Sequence, residues 1–233
     1  MAEQNKGMSD LWRRLRFVFM AIVVYRLGTH IPIPGIDPAR LAALFDQNQG
    51  TILEMFNLFS GGALERMSIF ALNVVPYISA AIIMQLFSNS IPYLQELKKD
   101  GQAGRNQITQ YTRYGTVVLA FVQASALAVT LGASGLAYEP GTSFFISAVF
   151  SVVAGTIFLM WLGEQISERG IGNGISIIIA TSILTGIPGA IGQALEQARQ
   201  GDLNILLLLG IGVLAMLVIA IVVFIERGQR RIT

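Results

Sequence analysis

Few side chains in this sequence could carry out covalent chemistry. It contains no cysteine, which excludes a disulfide framework, a thiolate metal site and a thiol nucleophile. His30 is the single histidine; no cluster of histidines and carboxylates accompanies it, and it needs no function. No nucleophile is paired with a base in a pattern that would build an active site. Gly170–Gly174, GIGNG, has the look of a phosphate-binding loop. It follows an apolar helix instead of a strand, however, and lacks the Gly-Lys-Ser/Thr ending, so turn chemistry explains its glycines better. The sequence therefore predicts no enzyme, no cofactor, no metal and no direct nucleotide binding. What remains is a set of polar groups among apolar ones: Arg26, the pair Glu65–Arg66, Gln85 and Gln123. In a bilayer each of these needs water or a partner.

The elements that must position them are membrane spans. Of 233 residues, 53% are apolar and 13% charged, against about 25% charged in an average soluble domain. The composition is that of an all-α polytopic membrane protein. A basic tail, residues 1–16, precedes a first span from Phe17 to about Ile36, which Arg26 and His30 interrupt and Pro32, Pro34 and Gly35 end. The tail lacks an Ala-x-Ala cleavage site and reads as a cytoplasmic segment, not a removable signal. A polar segment, Asp37 to Gly50, follows. Further spans run from Met67 to Phe87, Tyr111 to about Leu131, Ser143 to Leu162, Ile175 to about Ile187 and Leu203 to Ile225. Residues 190–202 read as a polar external connector, and 226–233 open a polar loop.

Between the first two full spans lies a broken stretch. Ile52 to Phe59 is an apolar half-helix well short of the ~20 residues that cross a bilayer. Ser60, Gly61 and Gly62 interrupt it, Glu65 and Arg66 add charge, and the following span is expected to kink at Pro76. Irregular backbone at membrane depth survives only inside protein or beside water, so an aqueous path and a plain kinked helix both remain open readings. Orientation follows from basic residues. With the N-terminus inside, twelve Lys and Arg lie on inner segments and three (Arg40, Arg66, Arg199) on outer ones, Arg26 completing the sixteen. That asymmetry sets the N-terminus, and after six crossings the C-terminus, in the cytoplasm.

Five segments carry a resemblance: IPIPGID (Ile31–Asp37), MFNLFSGGALERMSIFALNVVPYIS (Met55–Ser79), QYTRYG (Gln110–Gly115), MWLGEQISERGIGNGISIII (Met160–Ile179) and the C-terminal ERGQRRI. Long, specific and in order, they resemble the bacterial SecY family, whose members are central subunits of the Sec protein-conducting channel. The family's fold has ten spans in two inverted halves. The resemblance implies that this chain carries six: helices 1–5 within residues 17–189 form one inverted repeat, and helix 6 (203–225) begins the second. It implies a channel subunit of the bacterial inner membrane that passes unfolded preproteins across and releases signal or transmembrane segments into lipid. SecE, SecG, the ATPase SecA and the ribosome are the implied partners, with SecA or the ribosome supplying the energy. A secondary transporter built on broken helices is the alternative, although no span holds an ion-coupling carboxylate.

The resemblance also implies residue roles. Residues from Ile52 to Arg66, including Phe56, Phe59, Gly61, Gly62 and Leu64, match the plug that closes the channel from outside. Val74, Ile78 and Ile179 match its apolar pore ring, and Ile82, Gln85 and Gln123 one wall of its lateral gate. Arg227, Arg230 and Arg231 match the start of the loop that docks SecA or the ribosome. Each residue has a plainer alternative. The plug could be a static re-entrant helix, the ring ordinary packing and the glutamines locally bonded amides. The arginines could serve topology alone. Arg26 could be pinned to a carbonyl or lipid phosphate, but snorkelling toward the outer headgroups needs no partner and is preferred.

Overall fold

The computed structural model describes residues 2–47, 57, 60–139, 141–200 and 205–227. They form eight helices: α1 (Ala2–Gly28), α2 (Pro38–Gln47), α3 (Val75–Ser90), α4 (Pro92–Lys99), α5 (Gln102–Ala133), α6 (Thr142–Arg169), α7 (Gly174–Gln200) and α8 (Ile205–Glu226). Two isolated β-bridges, Pro32 to Ser68 and Ile36 to Ala137, join irregular segments. The chain divides into two compact units, Met1–Leu184 and Thr185–Thr233. Three helical segments among the described residues are long and apolar enough to cross a membrane: Gln102–Ala133, Thr142–Arg169 and Leu209–Glu226.

Within the first unit, α5 packs along α6 and α3, α4 packs against α3 and α5, and α1 packs on α6. The sequence of α5 explains its fit. Thr112, Thr116, Ala120, Ala124 and Ala128 are buried at steps of four, a ridge of small side chains that lets neighbouring backbones approach. Thr112 and Thr116 return their hydroxyl protons to the carbonyls of Ile108 and Thr112, so neither is left unsatisfied. The opposite side shows Val118, Phe121, Val122 and Val129, the apolar surface a lipid-facing helix presents. Two apolar cores result. One gathers Ile33, Leu41, Met67, Leu131, Phe144 and Val152, and the other Tyr25, Phe70, Val74, Leu159, Ile166 and Ile178.

Four expected boundaries differ. The span expected from Met67 to Phe87 with a kink at Pro76 begins only at Val75, and Pro76 occupies the first helical turn. There its fixed φ and missing N–H are compatible with the helix, so nothing kinks. Met67 to Val74 is apolar because it is packed inside the unit, and hydropathy by itself cannot separate a buried turn from a helix. The first helix stops at Gly28, and the chain that follows bridges Pro32 to Ser68 and Ile36 to Ala137 around a turn at Pro34 and Gly35. The segment from Asp37 to Gly50 holds α2, opened by Asp37, whose carboxylate accepts from the N–H of Ala39 at 2.9 Å. Finally, α7 continues through Pro188 to Gln200 and occupies most of the expected connector. Pro188 removes one donor from the carbonyl of Leu184, the residue at which the first unit ends.

Candidate functional site

The segment Ser60–Val74 stays irregular for a reason written in its dihedrals. Gly61 and Gly62 adopt φ of +65° and +80°, the left-handed region that glycine enters freely. Met67 and Asn73 adopt φ of 41° and 50°, a conformation that costs a side-chained residue free energy and persists only when its surroundings enforce it. The surroundings do so. The N–H of Ile33 donates to the carbonyl of Met67 at 2.8 Å, and the N–H of Ile69 to that of Ile31 at 3.0 Å. Ser68 Oγ accepts from the N–H of Phe70. Tyr25, Phe70 and Phe158 stack with centroids 6.0 and 5.9 Å apart, tying α1, the segment and α6 together. Gly155 on α6 completes the fit, for a Cβ there would lie 2.0 Å from the carbonyl oxygen of Ile69.

Polar groups hold the head of the segment. Arg26 Nη1 donates to the carbonyl of Gly61 at 2.9 Å, so Arg26 is pinned to backbone and the preferred snorkelling reading is corrected. A fixed carbonyl within reach satisfies the cation at less cost than a bent-out side chain. Beside it the Tyr25 hydroxyl lies 2.5 Å from Ser182 Oγ and 3.4 Å from the carbonyl of Ser60. Asn73 Nδ2 donates to the same Ser182 Oγ at 3.3 Å. Tyr25, Ser60, Asn73 and Ser182 are all buried. Nothing in the sequence marks Tyr25 and Ser182 as partners, because 157 residues separate them. Arg26 alone stood out, as a charge in a span.

Next to this segment opens a cavity of about 600 Å³ between α3, α5, α6 and α7. Its polar part carries Gln85, Asn106, Arg113 and Glu164, and its apolar part Ile78, Ile82, Ile175 and Ile179. Arg113 Nε donates to Glu164 Oε1 at 2.7 Å, which bridges α5 and α6 and neutralises the carboxylate. Asn173 caps α7 through Oδ1, accepting from the N–H groups of Ile175 and Ser176 at 3.0 and 3.3 Å. Ser167 Oγ accepts from the N–H of Gly174 at 2.8 Å, and Gly172 takes φ of 71°. GIGNG is thus a capped helix start.

The residues singled out by sequence fall into place unevenly. Val74 is 2% exposed within the second apolar core, and Ile78 and Ile179 pack against that same core while lining the cavity. Ile82 is 53% exposed at the cavity's edge, so the repeat Val74–Ile78–Ile82 leads from the core outward. Gln85 lines the cavity and Gln123 is half-buried on α5. Among the described residues the side-chain amide of neither is hydrogen-bonded to another helix. Gly61 and Gly62 form the turn, Leu64 packs on the first core, and Arg66 is exposed. Arg227 caps the end of α8 with its N–H on the carbonyl of Val223. Ile52, Phe56, Phe59, Arg230 and Arg231 lie outside the described residues. In the tail, the Arg14 guanidinium, with Arg13 beside it, holds the Asp10 carboxyl below the usual carboxylate range.

Comparisons with known proteins agree on one family. The SecY family model matches residues 68–233. The protein translocase subunit SecY of Pseudomonas aeruginosa is 63% identical over 231 residues, which is 99% of this chain and 52% of that protein. The protein of the same name from Escherichia coli K12 is 59% identical over 230 residues, 97% of this chain and 52% of its own. Among solved structures, Sec61 in a canine ribosome–channel complex from the endoplasmic reticulum superposes with a TM-score of 0.66 at 21% identity, over 96% of this chain and 49% of that one. A protein-conducting channel superposes at 0.58 and 21% identity, over 84% and 43%. The structural matches establish a common fold. The chain spans about half the length of the relatives it matches, and the transporter alternative finds no support among them.

Proposed function

The chain belongs to the SecY family, and on that premise we propose that it forms the first part of a protein-conducting channel subunit. The observation that carries the reading is the meeting of Val74, Ile78 and Ile179 in one apolar cluster at the wall of the polar-lined cavity. An apolar constriction beside a wet hollow dewets, resists ions and yields around varied side chains. In this reading the three residues contribute to a pore ring, and Ile52 to Arg66 is the plug. Ile82, Gln85 and Gln123 belong to a lateral gate that opens to lipid. Gln123 lies farther along α5, outside the cavity lining.

Six crossings set both ends in the cytoplasm of a bacterium, with the channel in its inner membrane. Arg227, Arg230 and Arg231 dock SecA or the ribosome, which supply energy to a passive, non-enzymatic pore. SecE and SecG complete the complex. The likeness to a channel solved with a ribosome supports the docking role. A chimera tests the whole: this chain is joined to the remaining half of the Pseudomonas relative and supplied as the sole SecY. Inverted membrane vesicles carrying it are expected to import a preprotein when SecA and ATP are added. A chimera that reaches the membrane, assembles with SecE and passes no preprotein overturns the proposal.

A further inference from the structure

Arg26 is a cation within an apolar helix, and among the described residues no carboxylate pairs with it. Its guanidinium is spent on one backbone oxygen, that of Gly61. The turn offering that oxygen is closed on itself. The N–H of Gly62 donates to the carbonyl of Asn57 at 3.0 Å, the N–H of Glu65 to Asn57 Oδ1 at 3.0 Å, and Asn57 Nδ2 to Glu65 Oε2 at 2.9 Å. These bonds tie Asn57, Gly62 and Glu65 together, so a hold on the Gly61 carbonyl bears on all three. We propose that Arg26 is the positioning residue that seats the stem of the plug, and that Tyr25 and Ser182 link this latch to the ring.

The inference rests on the plug and ring roles proposed above. The link is geometric. Ser182 lies one helical turn beyond Ile179 on α7, and Asn73 directly precedes Val74. Both meet at Ser182 Oγ, to which the Tyr25 hydroxyl is hydrogen-bonded 2.5 Å away. That hydroxyl also faces the carbonyl of Ser60, next to the carbonyl that Arg26 holds. A displacement of α7 that widens the ring pulls Ser182 from Tyr25 and loosens the node beside the stem. Ring and plug then open together, for Ala63 in the stem already shares an apolar cluster with Val74, Ile78 and Ile179. Arginine suits the role because its planar fork keeps direction as well as charge.

The test uses the complete channel with its partner subunits in planar bilayers, reading resting ion leak per inserted channel. Arg26→Gln is expected to raise the unseated fraction about 10- to 100-fold, the shift that follows loss of one hydrogen bond from a charged donor. Arg26→Lys recovers part of the seal. Tyr25→Phe keeps the aromatic stack, loses the hydroxyl and leaks less than Arg26→Gln; it serves as the second variant if Arg26→Gln inserts poorly. In a channel lacking Ile52 to Phe59, neither substitution adds leak. If that deletion leaks and both substitutions stay tight, the latch is overturned while the plug stands. If the deletion itself stays tight, the plug reading fails and the latch with it. Substitutions that add leak to the deleted channel act elsewhere and overturn the latch.

Discussion

Arg113 on α5 donates from Nε to Glu164 Oε1 on α6 at 2.7 Å, joining two segments that lie 51 residues apart. Both come from motifs that resemble the SecY family, QYTRYG and MWLGEQ, and both side chains line the cavity. The pair is unequal, since Arg113 is 44% and Glu164 18% exposed.

That inequality has a measurable consequence. Arg113→Gln leaves a largely covered carboxylate without its cation, whereas Glu164→Gln leaves an arginine that can still reach water. The first is expected to cost about 1–2 kcal/mol and the second under about 1 kcal/mol. Thermal unfolding of the purified channel in detergent reads the difference. Equal losses would mean that the carboxylate has another donor.

Gly155 gives a steric test. Because a Cβ at that position would meet the Ile69 carbonyl at 2.0 Å and the Phe70 ring at 3.1 Å, Gly155→Ala must push the irregular segment off α6. About 1–3 kcal/mol of destabilisation is expected, as for an overpacked core. Gly132→Ala is the control, since a Cβ there meets nothing within 4 Å and gains helix propensity. A stable Gly155→Ala protein with unchanged protease resistance would contradict the close approach.

The proposed ring role is separable from packing. Val74, Ile78 and Ile179 share one cluster, yet Ile78 and Ile179 also face the cavity. Replacing both with Gly in a complete channel is expected to raise ion conductance while preprotein export continues. Ordinary packing predicts the reverse: less protein in the membrane and no specific leak per channel.

Orientation can be read by labelling, because the absence of cysteine removes all background. Tyr138 and Gln102 are exposed at opposite ends of α5 and its flanking turn. Tyr138→Cys is expected to react with an impermeant maleimide in intact cells and Gln102→Cys only after lysis. Labelling at position 102 from outside would invert the proposed topology.

The sequence by itself determined a good deal. Hydropathy located the long helices α5, α6 and α8, because a bilayer demands length and apolarity from any segment that crosses it. The glycine pair marked the break at residues 61 and 62, because positive φ is costly for other residues. GIGNG was legible as a turn from its context. Local signals of this kind survive in sequence since each depends on neighbours along the chain.

Tertiary structure decided the rest. Apolar character from Met67 to Phe87 looked like one span, but its first part is buried turn and its second part a helix that begins at Val75. Burial between helices and burial in lipid leave the same composition, and only packing distinguishes them. Arg26 was visible as a cost; the oxygen that satisfies it lies 35 residues away. Tyr25, Asn73 and Ser182 meet from three elements, and nothing in their local sequences encodes that meeting. Hydrogen-bond partners brought together by the fold have no fixed spacing, so the chain that names them cannot show that they touch.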